Sequence, residues 1–138
     1  MAKQLSDRPT LEELKDFFGH DRFAEHAGCR IVKGSRDHAV CELDIQDHHR
    51  NALGNVMGGA IFTLADFALA IASNTGGNPS VSVSSTIEYL SASKGTCLIA
   101  TCNADKSGRR LGFYTTDVTD DTGRRIARVT TTVFRESE

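Results

Sequence analysis

Asp66 is the residue whose type and position in this sequence are best suited to catalysis. It is the only charged or histidine residue between Arg50 and Glu88, and it lies within the apolar stretch 58–72. Burying an isolated carboxylate costs several kcal/mol unless the group is paired or protonated. We therefore expect a buried Asp66 that acts as a nucleophile or a general base. The alternative is a structural carboxylate that is hydrogen-bonded to a serine or threonine of a sheet.

Gly58 and Gly59 stand at the start of the same stretch, where we expect a helix to begin. The first N–H groups of a helix have no partner within it, and the helix dipole favours negative charge there. Because glycine lets a ligand oxygen approach these N–H groups closely, the pair is a candidate anion or oxyanion site. The alternative is that the glycines only relieve a tight turn or allow close packing of the helix on a sheet.

The separation of Gly58 and Asp66 has a structural consequence. The two residues are eight positions apart, which is about 12 Å along a helix that rises about 1.5 Å per residue. A donor to a carbonyl oxygen and a base that acts at its carbon must each lie about 3 Å from the reacting group. One helix therefore cannot present both groups to one substrate, whereas two antiparallel copies related by a twofold axis can. The sequence predicts an obligate dimer with two equivalent sites.

The elements that would position these residues follow from the apolar pattern. The stretch 58–72 predicts a helix that is apolar on nearly every side and therefore internal. Shorter helices are predicted after the capping-box sequence that starts at Thr10, and at 21–27 before Gly28. Strands are predicted at 31–32, 38–45, 80–89, 96–104, 111–118 and, after the turn 120–123, up to residue 134. This is an α+β architecture, an antiparallel sheet of about five or six strands wrapped around one long helix, whose uncovered side needs another subunit or the N-terminal helix.

Composition limits the class of protein. The chain has 138 residues, of which 39% are hydrophobic and 25% charged, as expected for one globular domain. Its net charge is −2 with scattered basic residues, which argues against a nucleic-acid partner. Its four cysteines form no C-x-x-C pair, so we interpret them as reduced thiols of a cytoplasmic protein. The polar first ten residues and the short, acid-containing run 56–71 predict neither export nor a membrane span.

One motif carries a resemblance to a known family. The pattern Asn51-x-x-Gly54-x-x-Met57-Gly58-Gly59-Ala60-x-x-x-Leu64-Ala65-Asp66 resembles the signature of hotdog-fold acyl-CoA thioesterases of the phenylacetate-pathway (PaaI) type. The order of elements resembles that family over about residues 25 to 135. The resemblance implies a single domain, 1–138, with a helical segment 1–27 and a hotdog core 28–135. It also implies hydrolysis of a small or aromatic acyl-CoA thioester by a homodimer that commonly pairs again into a tetramer.

The same resemblance assigns roles to individual residues. Asp66 would be the nucleophile or the base that activates water, and the Gly58 N–H would polarise the thioester carbonyl. Asn51 would orient the target of the carboxylate or the attacking water. The histidine that the family has before the glycine pair is Met57 here, which replaces a hydrogen-bond donor by a soft apolar side chain. An Arg-Pro pair that often follows the Tyr-Leu strand end is absent, since residues 91–92 are Ser-Ala.

Further substrate contacts are expected beside this motif, from Met57 and Gly59 and from two polar groups of residues. Ser84, Ser85 and Thr86 lie on strand 80–89, whose even-numbered residues we expect to share one face. They could bind Asp66 or a pantetheine arm, or form a hydroxyl-rich solvent face. Arg109 and Arg110 could bind the phosphates of coenzyme A. A plain polar hairpin turn explains the arginines about as well.

His48 and His49 are weaker candidates. Adjacent side chains point to different sides of an extended chain and no cysteine or carboxylate cluster accompanies them, so a solvated loop is favoured over a metal site. We expect no metal and no cofactor, since coenzyme A is part of the substrate. The alternative function is a non-catalytic acyl-CoA-binding or sensing protein on the same scaffold, and a hydratase is a third. The acyl group, the chemical role of Asp66 and the choice between dimer and tetramer stay open.

Overall fold

The computed structural model describes residues 4–136. Helices α1 (Leu11–Phe18) and α2 (Arg22–Ala27) precede strands β1 (Cys29–Ser35) and β2 (His38–Asp44). A 3₁₀ turn at Asp47–His49 and a loop lead into the long helix α3 (Gly58–Asn74). Strands β3 (Ser80–Tyr89), β4 (Cys97–Ser107), β5 (Leu111–Asp120) and β6 (Arg125–Arg135) follow. The predicted six strands and central helix are confirmed, although β1 and β4 are longer than predicted.

The six strands form one antiparallel sheet in the order β1-β2-β4-β5-β6-β3, so β1 and β3 are its edges. Helix α3 crosses one face of this sheet and contacts all six strands. Alternate residues of each inner strand point at the helix and are buried. The strand residues of this core include Ala39, Cys41, Leu43, Leu98, Ala100, Cys102, Tyr114, Val118, Ala127, Val129 and Val133. The α+β hotdog architecture is therefore confirmed.

The short N-terminal helices begin and end where local sequence predicts. At the start of α1 the Thr10 hydroxyl accepts a hydrogen bond from the Glu13 N–H at 3.1 Å, and the Glu13 carboxylate accepts one from the Thr10 N–H at 2.9 Å. This is the predicted capping box. Helix α2 ends at Gly28, whose φ of 91° is the left-handed conformation that glycine adopts freely. Leu14 and Phe18 of α1 are buried against the core.

Gly34 determines how closely α1 and α3 approach the edge of the sheet. A Cβ at Gly34 of β1 would lie 2.7 Å from a methyl of Ile71 and 3.2 Å from one of Leu14. Only glycine leaves room for both side chains, so this position lets α1 and the C-terminal half of α3 close over β1. The N-terminal helices therefore cover one side of α3.

Strand β3 departs from the predicted alternation. Its register against β6 shifts between Ser82 and Ser84, which is a β-bulge at Val83. Directly opposite residues of antiparallel strands share a face, and Ser82 and Ser85 both oppose buried residues of β6. The prediction that the even-numbered residues share one face is therefore wrong. Ser82 and Ser85 face α3, whereas Ser84 and Thr86 face away from it.

One side of α3 remains uncovered in the single chain. Gly59, Phe62, Thr63, Asp66 and Ala70 are spaced three or four residues apart and are exposed or partly exposed. We call these five residues the open stripe of α3. Neither the sheet nor the two short helices cover it. Among the described residues, no helix has the length and apolar character needed to cross a bilayer.

Candidate active site

The start of α3 presents two backbone donors. Met57 precedes the helix in an extended conformation, and its side chain makes no capping hydrogen bond and is 58% exposed. The Ala60 N–H is bonded to the Met57 carbonyl at 3.0 Å, but the N–H groups of Gly58 and Gly59 have no acceptor within residues 4–136. These groups lie at the positive end of the helix dipole. The predicted anion site is thus geometrically available.

Tyr89 explains why the first of these positions is glycine. Its hydroxyl donates to the carbonyl oxygen of Gly58 at 3.0 Å. A Cβ on Gly58 would lie 2.8 Å from the Tyr89 hydroxyl oxygen and 2.9 Å from the ring carbon that carries it. Any larger residue would displace the Tyr89 ring and its hydrogen bond to the start of the helix. Tyr89 was not predicted as a site residue, because its alternation with Ile87 indicates its face of the strand but not the helix end that it reaches.

A pocket of about 400 Å³ opens beside these donors. It is lined by Val56, Gly58 and Ile61 on one side and by Tyr89 and residues 90–93 on the other. We call it the Gly58 pocket. Ser91 and Ala92 are part of its wall. The Ser91 hydroxyl is turned to the carbonyl oxygen of Arg125.

Asp120, which is 1% exposed, holds the segment that forms one wall of the Gly58 pocket. One carboxylate oxygen accepts from the Ser93 hydroxyl and the Lys94 and Gly95 N–H groups at 2.8–3.0 Å. The other accepts from the N–H and hydroxyl of Thr122 and from the Arg124 N–H at 2.6–3.1 Å. Burial alone would raise the pKa of Asp120, but these hydrogen bonds outweigh it and hold the pKa well below its usual range. Neither this network nor its position was predicted.

Asp66 lies at the centre of the open stripe and is exposed in the single chain, so the predicted burial is wrong for one copy. The carboxylate has no hydrogen-bond or ion-pair partner among the described residues, which argues against a structural serine or threonine contact. Neighbouring protein atoms nevertheless reduce its hydration and raise its pKa, and the negative charge of Asp21 adds to the effect. An unpartnered carboxylate with a raised pKa is suited to accept a proton as a general base.

Asn51 shapes the loop that delivers the chain to α3. Its side-chain oxygen accepts from the N–H groups of Leu53 and Asn55 at 3.0 and 3.1 Å, and its own N–H donates to the Asn55 carbonyl at 2.7 Å. The side-chain NH₂ has no partner within the described residues. Asn51 is exposed, and only this amide remains free for a substrate or water.

His49 is not part of a solvated loop, so that prediction is wrong. The residue is 4% exposed, whereas His48 is exposed. Its Nδ1 accepts from the Gln46 N–H at 2.9 Å and its Nε2 donates to the Ala27 carbonyl at 2.6 Å. The ring thereby ties the loop before α3 to the end of α2. Within the described part of the chain, no three His, Cys, Asp or Glu side chains are grouped so that they could hold a metal ion.

The remaining predicted contacts lie apart from Asp66 in one chain. Ser85 faces α3 but is hydrogen-bonded to Thr131 at 3.0 Å, and Ser84 and Thr86 face the opposite side of the sheet. Arg109 and Arg110 lie in the exposed β4–β5 turn, beside the C-terminal end of α3. Gly58 and Asp66 stay on one helix, eight residues apart. A single chain does not bring the predicted catalytic groups together.

Comparisons with known proteins agree with this architecture. The chain is 33% identical to mouse acyl-coenzyme A thioesterase 13 over 114 residues, which covers 80% of each protein. The structure of the E. coli PaaI protein from the phenylacetic acid degradation operon superposes with a TM-score of 0.85 at 24% identity, over 91% of this chain and 92% of that one. A Streptococcus pneumoniae hypothetical thioesterase, determined with coenzyme A, superposes with a TM-score of 0.78 at 27% identity, over 88% of this chain and 98% of that one.

Residues 53–135 match the model of the thioesterase superfamily. The matched segment starts five residues before α3 and ends with β6, so it includes Gly58, Asp66 and the strands that enclose them. It makes up more than half of the chain. Together with the fold and the relatives above, this match shows that the chain belongs to the thioesterase superfamily.

Proposed function

We propose that this protein is an acyl-CoA thioester hydrolase whose active site is shared between two copies of the chain. The observation that carries the proposal is that α3 presents unpartnered N–H groups at Gly58 and Gly59 and an unpartnered carboxylate at Asp66, within the described residues. Such donors stabilise an oxyanion, and such a carboxylate activates water or attacks a carbonyl. The superfamily match and the mouse relative's name support a thioester substrate.

The proposed reaction needs only these groups and water. Asp66 removes a proton from water, the hydroxide adds to the thioester carbon, and the carbonyl electrons move to an oxygen held by the Gly58 N–H. The intermediate then collapses, the C–S bond breaks, and the thiolate of coenzyme A takes up the proton. In the nucleophilic variant Asp66 itself adds to the carbon, the thiolate leaves, and water hydrolyses the acyl-aspartate. Both routes balance without a cofactor, because coenzyme A arrives with the substrate.

The shared site requires a dimer, and two features of the single chain favour one. The open stripe of α3 leaves Phe62 and Ala70 uncovered, and β3 presents an unpaired backbone edge whose residues Val81 and Val83 are more than half exposed. A twofold axis beside α3 would cover both and would place Asp66 of one copy near Gly58 of the other. We propose this dimer, with two equivalent sites, and its pairing into a tetramer.

The substrate is proposed to be a small or aromatic acyl-CoA. The Streptococcus pneumoniae neighbour determined with coenzyme A supports the nucleotide portion. Asn51 is proposed to orient the target of Asp66 or the attacking water. The proposed substrate contacts are Met57, Gly59, Ser84, Ser85, Thr86, Arg109 and Arg110. All four cysteines are free thiols, which supports the proposed cytoplasmic location.

The test uses purified full-length protein, a panel of acetyl-, hexanoyl-, benzoyl- and phenylacetyl-CoA, and a thiol-reactive dye that reports released coenzyme A. We expect Asp66→Asn and Asp66→Ala to lower kcat/KM by at least about a hundredfold to a thousandfold, as for loss of a catalytic base. Asp16→Asn, which removes an exposed carboxylate of α1, is the matched control and should match the parent. The carboxylate must be deprotonated to act, and its pKa is raised. The fall of kcat/KM with decreasing pH should therefore begin at a pH above the usual pKa range of a carboxyl group.

Two results would contradict the proposal. Asp66 variants that release thiol at the parental rate would exclude its catalytic role. A protein that sediments as a monomer while it turns over would exclude the shared site.

A second candidate function rests on Met57. This exposed apolar side chain lies at the helix start, where the family that the motif resembles has a histidine. Its presence is consistent with a loss of hydrolytic activity. The protein would then bind acyl-CoA without hydrolysing it. Tight binding of the panel by calorimetry, together with no thiol release, would favour this binding or sensing function over the hydrolase.

A further inference from the structure

A second pocket, of about 240 Å³, lies between α1, α2, β1 and the middle of α3. Its floor is formed by Phe18, Cys29, Ile31 and Phe67. Its surface is mostly apolar, and charged side chains, including Lys15 and Arg30, reach its rim. We call it the Phe67 pocket. It is separate from the Gly58 pocket, with which it shares no lining residue.

The Phe67 pocket adjoins the proposed catalytic carboxylate. Phe67 directly follows Asp66 on α3, and Asp21, at the start of α2, lines the pocket. The negative charge of Asp21 also contributes to the raised pKa of Asp66. Consecutive Cα atoms lie about 3.8 Å apart, so the pocket opens at the same level of α3 as Asp66 rather than at the helix end.

We infer that the Phe67 pocket receives the acyl group of the thioester and sets which acyl groups are hydrolysed. This inference rests on the proposed function. A carboxylate that acts at the thioester carbon must have the acyl chain beside it, and an apolar pocket is where such a chain leaves water. An apolar cavity of about 150 Å³ admits a benzene ring, so this larger pocket suits one aromatic ring or a short unbranched chain. Phe67 is then a specificity residue.

The thiol in the pocket fits this use. Burial, with a smaller effect of the Asp21 charge, raises the pKa of Cys29 to about 11, so the group is a neutral thiol at physiological pH. A neutral thiol behaves as a small apolar side chain and is not a nucleophile. Cys29 therefore contributes shape to the pocket, and replacing it changes the pocket volume without removing a charge.

The test compares kcat/KM across the same acyl-CoA panel in three variants. Cys29→Phe narrows the pocket and should lower the ratio of phenylacetyl-CoA to acetyl-CoA turnover about tenfold or more. Phe67→Ala widens it and should raise the relative rate on hexanoyl-CoA and longer chains. Val32→Phe adds an aromatic ring at an exposed position of the same strand and should leave the profile as in the parent.

Each outcome decides the inference. An unchanged acyl profile in folded Cys29→Phe and Phe67→Ala, with turnover retained, would overturn it while leaving the hydrolase intact. If Cys29→Phe does not fold, Cys29→Leu should shift the ratio in the same direction by less, and no shift would overturn the inference. If the parent hydrolyses no thioester, the proposed function fails separately. In that case binding affinities test the inference. The Cys29→Phe substitution should weaken the binding of phenylacetyl-CoA more than the binding of coenzyme A, and an equal effect on both would overturn the inference.

Discussion

The two ends of α3 differ in how their backbone groups are used. At the C-terminal end, four consecutive carbonyl groups accept hydrogen bonds from outside the regular helix pattern. Those of Ala70, Ile71, Ala72 and Ser73 are bound by the Asn74 side chain, the Thr75 hydroxyl, the Asp37 N–H and the Arg135 guanidinium. At the N-terminal end, the N–H groups of Gly58 and Gly59 have no acceptor among the described residues.

This difference separates stability from function along one helix. Helix ends normally satisfy their unpaired groups by caps, and a donor left open beside a pocket is available to a ligand. Arg135 binds the C-terminal end of the helix. Its guanidinium also donates to the Tyr114 hydroxyl at 2.6 Å and lies 3.5 Å from the Asp37 carboxylate, and these contacts hold it in place. The start of the helix has no such anchor on its own N–H groups. Tyr89 and the loop bound by Asp120 position the start of the helix without using these N–H groups.

The largest effect is expected at the closed end. Arg135→Met removes a buried guanidinium that joins β6, the β4–β5 turn and α3. Because the Ser73 carbonyl and the Asp37 carboxylate lose this partner, the free energy of unfolding should fall by about 3–5 kcal/mol. Urea unfolding measures it at fixed protein concentration. The control Arg128→Met breaks an exposed pair with Asp117, at 3.7 Å, and should cost less than about 1 kcal/mol.

Thiol release decides whether the two ends are separate in function. Folded Arg135→Met should keep the parental kcat, because no group near Gly58 or Asp66 changes. KM is not part of this test, because Arg135 also holds the turn that carries the proposed substrate contacts Arg109 and Arg110. A large loss of kcat in the folded variant would contradict the conclusion that the two ends of α3 serve different purposes.

A smaller loss is expected behind the open end. Asp120→Asn keeps one acceptor oxygen but turns an NH₂ group towards three donors, so we expect a loss of about 2–3 kcal/mol at pH 7. The pKa of Asp120 is lowered in the folded protein, so its contribution is present above the unfolded carboxyl pKa of about 4 and is lost as pH falls below it. The difference between Asp120→Asn and the parent should therefore shrink from pH 7 to pH 3. A constant difference would show that the carboxylate charge is not the cause.

Local sequence predicted the features that neighbouring residues determine. The start of α3 at Gly58, the capping box at Thr10 and the left-handed end of α2 at Gly28 depend on contacts within a few positions. The apolar periodicity of the strands likewise predicted one sheet folded against one helix. The motif around Asp66 then indicated the family, which the superfamily match confirms.

The wrong predictions concern contacts between distant parts of the chain. His49 is buried because its ring reaches Ala27, 22 positions away, and Tyr89 reaches Gly58 across 31 positions. The bulge at Val83 depends on which residues of β6 lie opposite. Whether Asp66 is buried depends on the proposed second copy of the chain, which its own sequence neighbours do not reveal. No pattern within one segment contains this information.

The smallest effect, and one of opposite sign, is expected from Asp66→Asn on stability. The pKa of Asp66 is raised in the folded chain, so the folded protein binds a proton more tightly than the unfolded one. The contribution of Asp66 to the free energy of unfolding should therefore decrease as pH rises from about 4 through the raised pKa. Asparagine does not titrate, so the variant should be as stable as the parent within about 0.5 kcal/mol, or more stable, with the gain larger at pH 7 than at pH 4. Thermal unfolding at both pH values and equal protein concentration measures it, with Asp16→Asn as the control. A variant markedly less stable than the parent at pH 7 would give Asp66 a structural role like that of Arg135, and the contrast between the two ends of α3 would fail.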